Sequence, residues 1–301
     1  MRKRTLSWRP GGLCWEEYRT AIILLLPAFI GIVVFSIIPI VQSFSTSFYD
    51  APLLSRQRTF IGLDNYTAAF HDPVFIKSLV NTVLYAGGTL VLQVTLALGL
   101  ALLIRDHLPG ISFFRSAYFL PVVTSLVVVS TVWKVMYNTN NGLINSLLET
   151  IGLPGQPWLT SPNLALFSLV ILGTWKEVGF SMLVLLGGLN NIPVELYEAA
   201  SIDGAQGWNR FWRITLPLLR RPMLFVVVLS TINAFKVFTP IYLITDGGPQ
   251  DSTQTAVFYT FQNSFKYFKL GYASALSFVV LLLVLVFTFA QFHLLRSNVE
   301  Y

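Results

Sequence analysis

Four polar side chains stand where polarity is expensive. Lys176 and Glu177 fall in the middle of one long apolar stretch, and Asn233 and Lys236 in the middle of the next. A charge at bilayer depth costs at least ~2.5–3.5 kcal/mol on insertion scales, so such groups face protein or a water-filled path. Successive helical residues project about 100° apart, so Lys176 and Glu177 cannot form one side-by-side pair. A Glu177–Lys236 contact between helices is one arrangement that would lower the burial cost of both. Phe180, Phe238 and Tyr242, with Trp175 and Phe235, add aromatic faces nearby. Hydrogen-bonding groups beside aromatic faces suit a hydroxyl-rich solute that is bound and released without covalent change. The competing reading is an ion pair that packs helices, with the aromatics as packing. Lys134, beside Trp133 and Tyr137, is expected to snorkel to the membrane interface and is left out of the set.

Covalent chemistry has no comparable support. There is no Gly-x4-Gly-Lys-Ser/Thr phosphate loop, so the chain is not expected to hydrolyse ATP. No His-Glu-x-x-His and no Gly-x-Ser-x-Gly occurs, and His71, His107 and His293 are scattered. Cys14 is the single cysteine, which excludes an intrachain disulfide and a Cys-pair metal site. No enzyme, bound metal or cofactor is therefore expected in this chain. A secondary transporter driven by an ion gradient is the rival reading, but Glu177 is the only central carboxylate and the two halves show no internal repeat.

A second constellation lies in the arginine-rich interval 190–222. Pro193 suits a first helical turn, and Glu198, Ala199 and Ala200 lead through Asp203 to Gly204, a stop signal. Trp208, Phe211, Trp212 and Thr215 then recur at i, i+3, i+4 and i+7, an aromatic stripe on a second short helix with Arg210 and Arg213 on its other sides. Ile214, Leu216 and Pro217 follow. Two short helices at a glycine bend make a knob that a membrane protein can press into another protein. The alternative is an amphipathic hairpin lying in the interface with no partner.

Long apolar elements must hold these residues. The chain is 54% hydrophobic and 11% charged, against about 25% charged in a typical globular protein. Six stretches supply the ~20 apolar helical residues that a ~30 Å hydrocarbon core needs. They are 21–43, 79–104, 112–137, 164–189, 223–245 and 272–295. The expected architecture is an all-α polytopic membrane protein, with a tail over 1–20 and a transmembrane domain over 21–301. Pro27, Pro39, Pro121 and Pro240 fall inside or near span ends, which membrane helices tolerate. The first stretch is 23 residues long, beyond a signal-peptide core of roughly 7–15, so it reads as a retained helix.

Basic residues set the orientation. Arg2, Lys3, Arg4, Arg9, Arg19, Arg105, Arg115, Arg210, Arg213, Arg220, Arg221 and Arg296 fall on one side; Arg56, Arg58, Lys77, Lys266 and Lys269 fall on the other. The richer side is cytoplasmic, which puts both termini and the Glu198 loop inside. The net charge of +6 follows this topology and forms no single patch, so nucleic acid is not implied.

Glu198-Ala199-Ala200, three residues, Gly204, nine residues, Ile214-x-Leu216-Pro217 resembles the loop signature of ATP-binding-cassette importer permeases. Further likenesses to sugar-type permeases are Phe60-Ile61-Gly62-Leu63-Asp64-Asn65-Tyr66, Asn81-Thr82, Phe114-Arg115 with Phe119-Leu120-Pro121, Gly142-Leu143-Ile144-Asn145 and Thr245-Asp246-Gly247-Gly248-Pro249. The resemblance covers nearly the whole chain from about Ala21. It implies a type I importer permease with the MetI-like fold in the bacterial or archaeal inner membrane. It also implies a second related permease, an ATPase dimer that binds ATP and Mg, an extracytoplasmic solute-binding protein, and a sugar cargo, with glycerol phosphate or another compatible solute as the alternative. Under it the Glu198 loop is a coupling helix that docks on the ATPase.

Overall fold

The computed structural model describes residues 15–54, 57–105, 110–205 and 207–295. Arg2, Lys3, Arg4, Arg9, Cys14, Arg56, His107 and Arg296, used above, lie outside them. Helix α1 (Trp15–Ile32), a π segment (Val33–Ile37) and α2 (Ile38–Thr46) run on as one span. Pro39 has no N–H to return to a carbonyl, and the chain widens just ahead of it, with the Ile38 N–H on the Val33 carbonyl. None of this span's most apolar window is buried within the chain. Its cover has to be lipid or another subunit.

A two-residue strand pair, β1 (Tyr49–Asp50) with β2 (Thr59–Phe60), leads into α3 (Asp64–His71). Asn65 ties the pair to α2 by donating to the carbonyls of Ser47 (2.9 Å) and Tyr49 (3.0 Å). Helix α4 (Pro73–Leu103) starts on Asp72, whose carboxylate accepts from the N–H groups of Val74 (2.9 Å) and Phe75 (3.3 Å). Its second oxygen accepts from the hydroxyls of Tyr259 (2.6 Å) and Tyr272 (2.9 Å). Burial opposes the charge, but the tyrosine and backbone donors outweigh it and hold this carboxyl below the ordinary aspartate range. Burial and the bond to Asp72 push the Tyr259 hydroxyl up to about 12.

Because Asp72 ionises more readily folded than unfolded, its stabilisation is full above the unfolded aspartate pKa. It is lost as pH falls through the lowered folded value. Asp72→Ala is expected to remove about 1 kcal/mol for the helix cap alone and to flatten the loss of Tm below about pH 4. Thermal unfolding of the purified chain across pH reads both effects.

The third expected span is not one rod. Helices α5 (Ile111–Val123) and α6 (Leu126–Met136) meet at 99° across Thr124 and Ser125. The break leaves carbonyls without helical partners, and Lys176 donates from Nζ to the Val122 carbonyl at 2.8 Å. Helix α7 (Leu143–Thr150) precedes α8 (Pro162–Asn190), the most enclosed span, with 61% of its apolar window buried. Gly179 lets α5 close on α8, since a Cβ there would collide with the Tyr118 carbonyl oxygen.

Helix α9 (Val194–Ile202), α10 (Trp208–Arg210), a π segment (Phe211–Thr215) and α11 (Leu216–Leu218) form an elbow that turns 68° into α12 (Arg220–Phe235). The expected fifth span, 223–245, is broken. Helix α12 stops at Phe235, residues 236–238 leave helical geometry, and a π segment (Ile241–Thr245) follows Pro240. Pro240 cannot donate to the Lys236 carbonyl four residues back, which is one cause of the interruption. Helix α13 (Ala256–Phe261), a π segment (Gln262–Lys266) and α14 (Leu270–Leu295) complete the described fold. Among the described residues, four helices are each long and apolar enough to cross a membrane, or up to six if each bent pair is one span.

Three buried clusters hold these helices. Ala69, Phe75, Ala256 and Leu276 join α3, α4, α13 and α14. Tyr85, Leu172, Phe235, Ile241 and Phe258 surround the break after α12. Ala101, Leu185, Leu189, Tyr197 and Leu219 clamp the elbow to α4 and α8. The last cluster therefore packs α9 against two spanning helices.

Candidate functional site

The elbow is built on one backbone feature. Gly204 takes φ +76°, its N–H reaches the Ser201 carbonyl (3.2 Å), and the Ala205 N–H reaches the Ala200 carbonyl (2.8 Å). This pair of bonds is a Schellman closure, which needs the left-handed conformation that glycine adopts freely. A Cβ at Gly204 would meet nothing within 4 Å, so conformation and not crowding demands glycine. Glu198, Ala199 and Asp203 are exposed, while Ala200 is buried. Tyr197 lies beneath, its hydroxyl 3.3 Å from Thr215 Oγ1. Ile214, Leu216 and Pro217 are half-buried, and Ile214 packs on the cluster that holds Leu189.

Large apolar side chains share the outward surface with the charges of Glu198 and Asp203: Ile202 is 88% exposed, Trp208 72% and Trp212 50%. Trp208 stacks on Phe211 at 5.6 Å and meets Trp212 edge-on. The expected second helix is a three-residue α10 that runs into the π segment, and Thr215 is buried rather than part of the stripe. The wider π turn displaces the fourth member of an i, i+3, i+4, i+7 pattern.

A cavity of about 330 Å3 opens at the break after α12. Lys176 and Glu177 of α8, Asn233 of α12, and Lys236 and Phe238 of the break line it, together with Tyr85, Thr89 and Gln93 of α4, Ser230 and Thr239. Phe180 does not line it, and Tyr242 reaches it only through Phe238, on which it stacks at 5.5 Å. Lys176 is buried and committed to Val122, whereas Asn233 and Lys236 are exposed and Glu177 is half-buried. Among the described residues, Glu177 and Lys236 line the same cavity but form no ion pair, so the pairing that was one arrangement open to them is not adopted. Lys236 is the first residue beyond α12 and not a mid-helix position, so helical register does not aim it at α8.

Gln93 braces the cavity floor. Its amide nitrogen donates to Ser181 Oγ (2.7 Å) and Ser230 Oγ (2.9 Å), linking α4, α8 and α12. Gln93→Leu leaves both hydroxyls short of a buried partner and is expected to destabilise by roughly 1–3 kcal/mol. A fall in Tm of the purified chain, absent from an exposed control such as Gln42→Leu, checks it.

Sequence reasoning missed Tyr85, Thr89, Gln93, Ser230 and Thr239, which come from distant segments and share no motif. It also missed Ile202, whose exposure is a property of the folded elbow. Lys134 does more than snorkel: its Nζ donates to the Leu243 carbonyl at 2.8 Å. Several motif residues outside the elbow are staples. Asn81 donates to the carbonyls of Asp251 (2.8 Å) and Gln254 (3.0 Å), Thr82 accepts from the Ala256 N–H (2.9 Å), and Asn145 Oδ1 accepts from Trp158 Nε1 (2.7 Å). Among the described residues no cluster of His, Cys, Asp and Glu is arranged to hold a metal.

Residues 67–298 match the family model described as the binding-protein-dependent transport system inner membrane component. The chain belongs to this family. Its relatives include the probable ABC transporter permease protein YurN of Bacillus subtilis (strain 168), 36% identical over 92% of this chain and 96% of that one. The lactose transport system permease protein LacF of Rhizobium radiobacter is 36% identical over 90% of this chain and 92% of its own. The trehalose/maltose transport system permease protein MalF of Thermococcus litoralis is 34% identical over 92% and 93%. A crystal structure of a bacterial ABC transporter involved in import of the acidic polysaccharide alginate superposes with a TM-score of 0.81 at 24% identity, over 95% of this chain and 99% of that one. The fold is the MetI-like permease fold of such transporters, and this family member is a multi-pass membrane permease component, a class without ATPase activity of its own.

Proposed function

We propose that this permease is one of two related subunits of an ATP-driven importer for a sugar or sugar-like solute. An extracytoplasmic binding protein delivers the solute, and an ATPase dimer, holding ATP and Mg, closes against the elbow on the cytoplasmic side, where both termini also lie. The observation that carries this reading is the polar cavity at a broken membrane helix, with Asn233 and Lys236 exposed in the isolated chain. Such groups require a water-filled path or a second subunit opposite them. The solute crosses chemically unchanged, its hydroxyls met by Asn233, Glu177 and Lys236 and its ring by Phe238. Glu198, Ala199, Ala200, Asp203 and Gly204 form the contact with the ATPase, and Ile214, Leu216 and Pro217 carry the motion into α12. A docked joint transmits force only if it binds two ATPase states differently.

The sugar class is supported by relatives named for lactose, trehalose/maltose and arabinooligosaccharide transport. Glycerol phosphate is the second reading, since the sn-glycerol-3-phosphate permease UgpA of Brucella suis is 34% identical over 92% of this chain. The test is to purify the complex, identify its chains, and measure ATP hydrolysis with its binding protein loaded with each candidate solute. Stimulation by a sugar supports the proposal, and stimulation by glycerol phosphate alone selects the second reading. A chain that transports with no ATPase attached refutes both.

A further inference from the structure

A second cavity of about 330 Å3 lies behind the elbow, between the last turn of α4 and α10. Leu102, Arg105, Tyr197, Trp208, Arg210 and Phe211 are among its walls. The Arg105 guanidinium lies 4.4 Å from the centre of the Tyr197 ring, and that of Arg210 lies 5.4 Å from the same centre. The two cations are thus inside about 10 Å of each other, the screening length in 0.1 M salt, and they repel. No carboxylate is present among the described residues that line the cavity.

A guanidinium held over a ring by its cation–π contact can still present N–H edges, the geometry that grips a phosphate through paired hydrogen bonds. The remaining walls have a second chemistry. Leu102 and Phe211 are apolar, and Trp208, 72% exposed at the rim, is of the type that settles at the headgroup level of a bilayer. Leu102 belongs to the last turn of a spanning helix, so the cavity sits at the membrane boundary.

We propose that Arg105 and Arg210, held on Tyr197, bind a phosphate anion, and that the headgroup of an anionic phospholipid supplies it. The apolar walls favour the lipid over free phosphate. The bound headgroup relieves the repulsion between the two arginines and fixes α10 against Tyr197, and hence sets the position of the elbow.

The experiment is native mass spectrometry of the full chain released from nanodiscs of equimolar phosphatidylglycerol and phosphatidylcholine. The wild type is expected to retain phosphatidylglycerol, and the Arg105→Gln/Arg210→Gln variant to retain about tenfold less with an unchanged Tm. Arg105→Lys/Arg210→Lys keeps the charge but loses the fork geometry and is expected to fall between them. Adding excess inorganic phosphate as a competing probe separates the sources. Retention that persists assigns a lipid, while displacement with phosphate bound in its place keeps the phosphate site and reassigns its source. Equal retention of both lipids in wild type and variant overturns the proposal. So does a variant that keeps phosphatidylglycerol but loses a partner protein, since the arginines then belong to a protein interface.

Discussion

Gly204→Val is expected to cut solute uptake by about tenfold or more, while the protein still inserts and purifies. A left-handed residue other than glycine costs roughly 1–2 kcal/mol, and a β-branched one more. The space around Gly204 is open, so no steric clash adds to this backbone term. Gly204→Asn is the informative companion, because asparagine tolerates the left-handed region. It should keep most of the transport that valine loses. Uptake of labelled solute and the amount of ATPase that co-purifies measure the two variants together. If valine leaves both at wild-type levels, the bend is not what couples the elbow to its partner.

The two lysines of the central cavity should part company. Lys236→Ala removes an exposed ammonium that no described residue pairs, and it is expected to weaken transport by about 10- to 150-fold, the range of a hydrogen bond from a charged donor. The assembled complex and its Tm should be unchanged. Lys176→Met should do the reverse, because its buried amine caps the broken end of α5 at Val122. Tm should then fall by several degrees, the equivalent of roughly 1–3 kcal/mol for an unsatisfied carbonyl. Initial uptake rates over a range of solute concentrations, beside thermal unfolding, separate binding from stability. Equal effects in both variants would return Lys236 to a packing role.

The contrast marks what could be read from residues alone. Polar and charged groups inside apolar runs identified Lys176, Glu177, Asn233 and Lys236 because insertion energetics hold whatever the fold. Composition could not divide them into a cap and a free group, since that depends on the 99° turn at Thr124 and Ser125, which hydropathy does not register. The same blindness turned residues 223–245 into one rod. Pro240 was visible, but tolerance of proline in membrane helices allowed a continuous span. Gly204 was legible because a stop signal and a left-handed turn are local properties of backbone. Ile202 was not, because exposure of an apolar side chain at the tip of α9 is decided by how Tyr197 and Ala200 pack beneath it. Gln93 was hidden for a related reason, as its partners are Ser181 and Ser230, contacts that no sequence period encodes.

The elbow's role stands or falls on where its tip points and what covers it. With Cys14→Ser removing the native thiol, Ile202→Cys supplies a single reactive group at the most exposed apolar position of the elbow. A membrane-impermeant maleimide should leave it unlabelled in intact cells, label it in inside-out membranes stripped of the ATPase, and fail again once the ATPase is restored. Labelling from the outer face, or labelling indifferent to the ATPase, would contradict the account.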